Sequence, residues 1–419
     1  MADTKKIDLG GISVEDVEVD GKEVILVSGA GDITLTSAKK GNLAFTFGTS
    51  KNKATYIFEE HAVYNSDRTA VSLIGAAGDY SATKSARSKL VTINASQVDG
   101  AIAITGNANA NVIIAGDEDS TLNGGKGNDT LVGGEGEDIF VYKKNQGNDL
   151  IRGYDEDNDR ISLDGAAVTD AVVGKNSVVF TVGKSKLTVE DAAYQEVTFV
   201  NDDSATVFKD GVFYADDGTS VTVPASFNEK GEVDFDKTVE TIDASTVKTA
   251  VNLAGNALDN SIVGSAKNDT LSGYGGADTL EGGKGNDSLD GGAGDDILTG
   301  DKGNDKLWGD AGNDVLTGGK GSDSLWGDTG NDTFIYTPGD GNDVIFGFDD
   351  GDTLTIDGAD FSKATVSKNG EVVKLKIGAG SVTFKDIDAT TFHINDAEYQ
   401  LTEVTNRKGK VTGYAFTEI

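Results

Sequence analysis

The chain has 419 residues with no cysteine, and Asp and Glu outnumber Lys and Arg by 70 to 36, a formal charge of −34. That acidity argues against nucleic acid and anionic membrane surfaces as partners, and the missing thiols exclude disulfides and thiolate metal or redox chemistry. No run approaches the ~18 apolar residues of a transmembrane helix, and MADTKKIDLGG shows no apolar core of a Sec signal peptide.

In chain order, residues 1–94 read as short strands separated by Gly, Asn and Asp turns, with VEVDGKEVILV (17–27) and NLAFTFG (42–48) as the clearest. They are expected to form an N-terminal β cap. His61 stands alone in EEHAVY and reads as an ordinary surface or core residue. A short repetitive block follows within 95–163: GNANANVII, AGDEDSTLN, GGKGNDTLV and GGEGEDIFV. Position 6 of these nonapeptides is Asn111, Ser120, Asp129 and Asp138; position 8 is Ile113, Leu122, Leu131 and Phe140. The first two units keep the apolar residue and lose the carboxylate. Asp149 comes next in a GND triplet after a two-residue insertion, then an acidic turn with Asp155, Asp157 and Asp159.

Residues 164–240 read as a middle β cap ending in a polar stretch, SFNEKGEVDFDKTVE (226–240), that suggests a linker. Within 241–356 lies the most regular part of the chain, nine nonapeptides filling 255–335 without insertion. Position 1 is always Gly. Position 6 is Asn260, then Asp269, Asp278, Asp287, Asp296, Asp305, Asp314, Asp323 and Asp332. Position 8 is Ile262, seven leucines and Phe334. Departures at position 2 are Ser265, Tyr274, Asp301, Asp310 and Asp328. The ending repeats that of the short block, with Asp343 in a GND triplet and an acidic turn of Asp349, Asp350 and Asp352. Both acidic turns are open to two readings, further cation ligands or charged surface. Residues 357–419 read as a C-terminal β cap with NRKGK (406–410) as a hairpin turn and His393 as structural.

The period predicts architecture. Glycines in the first half permit tight turns, and positions 7 to 9 form a short strand with position 8 inward. Two nonapeptides make one coil, so stacked coils form a parallel β solenoid, an all-β fold. One buried Leu per repeat is far too little to offset the backbone entropy of ordering it. Stacking also brings like charges together, so a hard cation with oxygen ligands is expected, and calcium suits Asp carboxylates and loop carbonyls.

GGKGNDSLD and GGAGDDILT resemble the RTX repeat, Gly-Gly-x-Gly-x-Asp-x-large apolar-x, a known signature of calcium-binding β-helices. The resemblance implies two parallel β-rolls alternating with small antiparallel caps, with calcium between loops of successive coils. Implied ligands in the short block are Asp129, Asp138 and Asp149 with carbonyls of Gly124, Gly127, Gly133 and Gly136. In the main block they are Asp269, Asp278, Asp287, Asp296, Asp305, Asp314, Asp323, Asp332 and Asp343. The loop glycines there are Gly273, Gly276, Gly282, Gly285, Gly291, Gly294, Gly300, Gly303, Gly309, Gly312, Gly318, Gly321, Gly327 and Gly330. Pairing repeat k with k+2 makes seven pairs from nine repeats, hence about seven ions in the main block; one to three are expected in the short block. The pair containing Asn260 is expected to be weaker. The resemblance also implies type I secretion and an extracellular or cell-surface location.

No HExxH, GxSxG, Walker loop or strand-linked dinucleotide fingerprint is present. The leading reading is a non-enzymatic protein that folds on meeting calcium outside the cell. Alternatives are the calcium-binding tail of a larger toxin or exoenzyme, and an adhesin or surface-layer building block. Trp308 and Trp326, the only tryptophans, both occupy position 9 and lie one full coil apart. They form either an aromatic platform for a glycan or cell-surface partner, or a cross-strand pair that steadies the sheet.

Overall fold

The computed structural model describes residues 67–75, 79–82, 87–193, 195–201, 204–228, 232–235, 237–358, 361, 364–387 and 389–419, and the strand backbones before them from Ile7–Asp8 to Ala62–Asn65. His61 lies outside the described residues. The chain divides into two units, Met1–Gly211 and Val212–Ile419. Every described element longer than a turn is a strand, and no helix is long and apolar enough to cross a membrane.

In the second unit the nonapeptide period becomes a two-sheet coil. Ser261–Val263, Thr279–Glu281, Ile297–Thr299, Val315–Thr317 and Thr333–Tyr336 pair in parallel, each two repeats after the last. The intervening strands Thr270–Gly275, Ser288–Ala293, Lys306–Ala311 and Ser324–Trp326 form the facing sheet. Repeat k therefore pairs with k+2. Position 8 supplies two buried columns: Ile262, Leu280, Leu298, Leu316 and Phe334 on one sheet, Leu271, Leu289, Leu307 and Leu325 on the other. All are at most 2% exposed, so the one large apolar residue per repeat goes wholly into the core.

The loops show which glycines are obligatory. Position 4 takes φ between +114° and +157° from Gly276 to Gly330, and a Cβ on Gly303 would overlap the carbonyl oxygen of Gly285 one coil back. Position 2 is left-handed too, but at φ near +70° in Tyr274, Asp301, Asp310 and Asp328. That region admits an occasional L residue, so these four departures from the repeat fall where a side chain fits.

The coil reaches beyond the repeats. Upstream, Ser220–Thr222 pairs in parallel with Thr241–Asp243, and Val233–Asp234 with Asn252–Ala254. Val233–Asp234, inside the stretch read as a linker, is therefore a strand of the coil. Phe227, Phe235 and Val239 are buried and supply the apolar anchors. Downstream, Asn342–Phe346 pairs in parallel with Gly380–Lys385, whose other edge begins the antiparallel strands Val372–Ile377 and Thr365–Asn369. The C-terminal hairpin Ala397–Thr405 with Val411–Glu418 turns at Asn406–Lys410. His393 is half-buried in the strand Phe392–Ile394.

The first unit repeats this plan with fewer coils. Ala70–Gly75, Thr92–Val98, Val112–Ile114, Thr130–Val132, Asp149–Arg152 and Ser185–Glu190 stack in parallel. Tyr80–Ser81, Ile102–Thr105, Ser120–Asn123, Ile139–Val141, Arg160–Ser162 and Val197–Asn201 face them. Parallel pairing thus starts at Ala70, upstream of the first nonapeptide. Two segments of similar sequence, KNSVVFTVGKSKLTVEDA (175–192) and NGEVVKLKIGAGSVTFKD (369–386), fold as matching hairpins, each with its second strand in parallel on a strand of its coil.

Candidate metal centre

Position 6 follows the turn and precedes the strand, and the strand's inward residue is position 8. Position 6 therefore points inward as well, at the coil's edge. Every Asp there, from Asp129 to Asp343, is at most 4% exposed. The side chains form rows. Oδ1 of each carboxylate accepts from the backbone N–H of the position-6 residue one coil earlier. Asn260, Asp278, Asp296 and Asp314 donate to Asp278, Asp296, Asp314 and Asp332 at 2.6–2.9 Å. On the opposite edge Asp269, Asp287, Asp305 and Asp323 donate to Asp287, Asp305, Asp323 and Asp343 at 2.8–3.1 Å. The short block has the same rows, Asn111 to Asp129 to Asp149 and Ser120 to Asp138 to Asp159.

The second oxygen decides what the rows can hold. Oδ2 of Asp278, Asp287, Asp296, Asp305, Asp314, Asp323 and Asp332 is buried without a hydrogen-bond partner, and so is Oδ2 of Asp129. A buried carboxylate oxygen left this way is costly. It also has a neighbour of its own kind: a Cβ on Gly273 would meet Asp278 Oδ2 and lie 2.6 Å from the carbonyl of Gly291. On Gly300 the distances would be 2.6 Å to Asp305 Oδ2 and 2.7 Å to the Gly318 carbonyl. Carboxylate oxygen and next-coil carbonyl thus converge on a space that only a missing side chain leaves open. Oxygen facing oxygen, with no N–H donor between, fits a hard cation.

Electrostatics agree. Burial is the first cause that pushes Asp305 and Asp343 up to about 7, and Asp278, Asp287, Asp296, Asp314, Asp323 and Asp332 up to about 6. Neighbouring carboxylates of the same row add to it, as Asp323 and Asp287 do for Asp305. Asp149 rises to about 7 for the same first reason, and Asp129, Asp138 and Asp269 are raised. Among the described residues no three His, Cys, Asp or Glu side chains cluster as an all-side-chain metal site. The rows instead offer one carboxylate per coil, with backbone carbonyls as the remaining oxygens.

The row ends differ. Asn260 Oδ1 accepts from Asn256 N–H at 2.8 Å, and its Nδ2 donates to the Val239 carbonyl at 2.8 Å. Asn111 does the same with Asn107 and Leu90. Asp269 Oδ2 accepts from Ser265 N–H, and Asp138 Oδ2 from Gly134 N–H. In the acidic turns, Asp159 and Asp352 join the rows as their last members, with Oδ2 taken by the N–H of Asp155 and Asp349. Asp350 staples the cap by accepting from Thr390 and Thr391 N–H. A ladder at position 5 escaped the sequence reading: Asn268, Asn286 and Asn304 side chains accept from the N–H of Asn286, Asn304 and Ser322 one coil on. Asp259, Asp295 and Asn313 serve the other edge. The recurrence of Asn before the Asp was the available signal.

Trp308 and Trp326 stack at 4.8 Å with ring planes 9° apart, and Phe346 continues the column at 4.6 Å. Lys385 Nζ lies 5.2 Å above the Phe346 ring. The rings cover one another's faces, the surfaces a sugar would need, so the geometry favours the sheet-steadying role.

The RTX calcium-binding nonapeptide repeat model matches residues 105–140, 254–289, 273–307, 281–316 and 308–336, and the chain carries these repeats in both units. No curated protein matches. Among solved structures, the extracellular lipase LipA from Serratia marcescens is similar at 16% identity and a TM-score of 0.16, over 71% of this chain and 43% of the lipase. The chain thus spans less than half of that protein's length.

Proposed function

From a chain that carries RTX calcium-binding repeats, we propose a secreted, non-enzymatic β-roll whose folding is switched by calcium at the carboxylate rows. The observation that carries the reading is the set of seven main-block Oδ2 atoms and that of Asp129, buried and unpartnered. Asp129, Asp278, Asp287, Asp296, Asp305, Asp314, Asp323 and Asp332 would hold the ions, with carbonyls of the position-1 and position-4 glycines. Asp138, Asp149, Asp269 and Asp343 sit in the same rows as weaker candidates. Seven unpartnered oxygens support about seven ions in the main roll, and the single one in the short block supports the low end of one to three. When bound, calcium supplies the positive charge and oxygen coordination that the buried carboxylates lack.

The protein's part is to gather these oxygens only when coiled. Position-4 glycines let consecutive loops touch, position-8 side chains exclude water behind them, and the Oδ1 bonds fix each carboxylate. The row exists only in the stacked coil, so affinity for it drives folding by mass action. Calcium at extracellular levels, where such modules bind with Kd of about 10⁻⁴ to 10⁻³ M, would fold the chain. Low cytosolic calcium would leave it expanded by its own charge. That suits export through a type I machinery. Far-UV circular dichroism during a calcium titration, with magnesium as control, tests the reading. At neutral pH a cooperative coil-to-β transition with calcium alone is expected; β structure persisting there in excess chelator would overturn it.

A further inference from the structure

The two edges of the main roll carry the same carboxylate geometry and opposite surroundings. The loops leading into the Ser261–Val263 sheet are 255–260, 273–278, 291–296, 309–314 and 327–332. Together they hold eight aspartates (Asp259, Asp278, Asp295, Asp296, Asp310, Asp314, Asp328 and Asp332) and no lysine or arginine. The loops leading into the Thr270–Gly275 sheet are 264–269, 282–287, 300–305 and 318–323. Those hold five aspartates and four lysines: Lys267, Lys284, Lys302 and Lys320.

Stacking makes the lysines a row. Lys284 bridges Lys302, and Lys302 bridges Lys320, by parallel backbone pairing. All four lysines are exposed, as are Asp259, Asp295, Asp310 and Asp328 on the other edge. One edge thus carries an exposed lysine in each of these four loops, and the other an exposed aspartate outside position 6 in four of its five. Both rows have the same unpartnered oxygens: Asp278, Asp296, Asp314 and Asp332 on the acidic edge, Asp287, Asp305 and Asp323 on the lysine edge.

We propose that the main roll holds two unequal calcium rows. The acidic edge fills first, and the lysine edge, already partly neutralised by Lys267, Lys284, Lys302 and Lys320, fills at higher calcium. The inference rests on the calcium reading above and assigns it an order. Affinity in oxygen sites follows the charge gathered around the ion. Charges along one edge lie within about one Debye length, ~8–10 Å, of their neighbours in the row, so they act through only partial screening. The lysine edge meets less repulsion when it stacks empty, and it gains less when a cation arrives. The acidic edge is the one that cannot stack without metal.

The test is calcium uptake by the whole chain, measured by isothermal titration at low and at moderate salt. Two classes of site are expected, their midpoints separated by roughly tenfold at low salt and converging as salt screens both edges. The variant with all four lysines changed to Gln should move only the weaker class, drawing it toward the tighter one. Asp259, Asp295, Asp310 and Asp328 changed together to Asn should move only the tighter class; Asn keeps the ladder acceptors at positions 259 and 295. A single class in the natural chain, or Lys→Gln variants whose weaker class stays in place, would overturn the proposal while leaving calcium-driven folding intact. No uptake by any variant would overturn that reading as well.

Discussion

In the short block the carboxylate rows run Asn111, Asp129, Asp149 and Ser120, Asp138, Asp159. In the main roll they run from Asn260 through Asp332 to Asp352 and from Asp269 through Asp323 to Asp343. The coil geometry is shared, but the electrostatic problem is not. A row that begins with an amide or a hydroxyl satisfies its own first member by bonding the loop behind it. A row of consecutive aspartates leaves one oxygen per coil with nothing to bond. Only Asp129 is so left in the short block, against seven in the main roll. The difference teaches that the nonapeptide supplies a fold at every occurrence, and a need for cation only where carboxylates follow one another.

The largest expected effect is that of pH without calcium, because many groups act together. Nine main-roll carboxylates, Asp278 to Asp352, have pKa values raised to about 6 or 7 by burial first, against two in the short block, Asp149 and Asp159. A folded pKa above the unfolded one means the folded state holds the extra protons, so stability falls as pH rises from about 4 through 7. Circular dichroism in chelator should show main-roll β structure held by protonation near pH 4 and lost to coil as pH rises toward 7, more steeply than in the short block. With calcium the sign reverses for binding: protons compete with metal, so the calcium midpoint should rise as pH drops from 8 to 6. A flat apo profile would break the electrostatic half of the comparison.

The geometric half is tested by Gly303→Ala in the main roll and Gly127→Ala in the short block. Gly303 has φ +153° and Gly127 φ +133°, and in both a Cβ would strike backbone one coil back. Each should cost roughly 2–4 kcal/mol in denaturant melts with calcium present. Unequal costs would show that the two coils are not built alike.

Single carboxylates sharpen the contrast. Asp305→Asn should lower calcium uptake by about one ion and stabilise the calcium-free state by on the order of 1–3 kcal/mol, because a buried unpaired charge is removed. Asp138→Asn should change uptake little, since both its oxygens already accept hydrogen bonds, Oδ1 from Ser120 N–H one coil back and Oδ2 from Gly134 N–H in its own loop. The smallest effect is expected of Trp308→Thr with Trp326→Thr. Loss of the stack should cost about 0.5–1.5 kcal/mol per aromatic pair and leave the ion count unchanged.

The period, the inward column and the buried carboxylates were legible because the nonapeptide recurs without slippage through 255–335. The earlier coils were not. Ile242 pairs with Ile262, and Val221 with Ile242, so each of these coils is slightly longer than a pair of nonapeptides. A turn can absorb a few extra residues while strand register is kept, so the sequence period vanishes where the coil does not. Composition hid the strand Val233–Asp234 for the same reason: two phenylalanines among charges suffice for one coil. The satisfied row ends were hidden because the partners of Asn260, such as the Val239 carbonyl, are backbone atoms about one coil away.

The alternation of edges makes the molecule sensitive to parity. Excising a pair of nonapeptides, such as 282–299, would shorten the roll by one coil and return every downstream loop to the edge it came from. Excising a single nonapeptide would keep position 8 inward and position 6 in a row. Yet it would move every downstream loop to the opposite edge, threading lysines among aspartates and sending Trp308 and Trp326 to the other sheet. Repeat proteins of this kind can therefore gain or lose length without penalty only in whole coils, and an odd count of nonapeptides is a change of surface rather than of size.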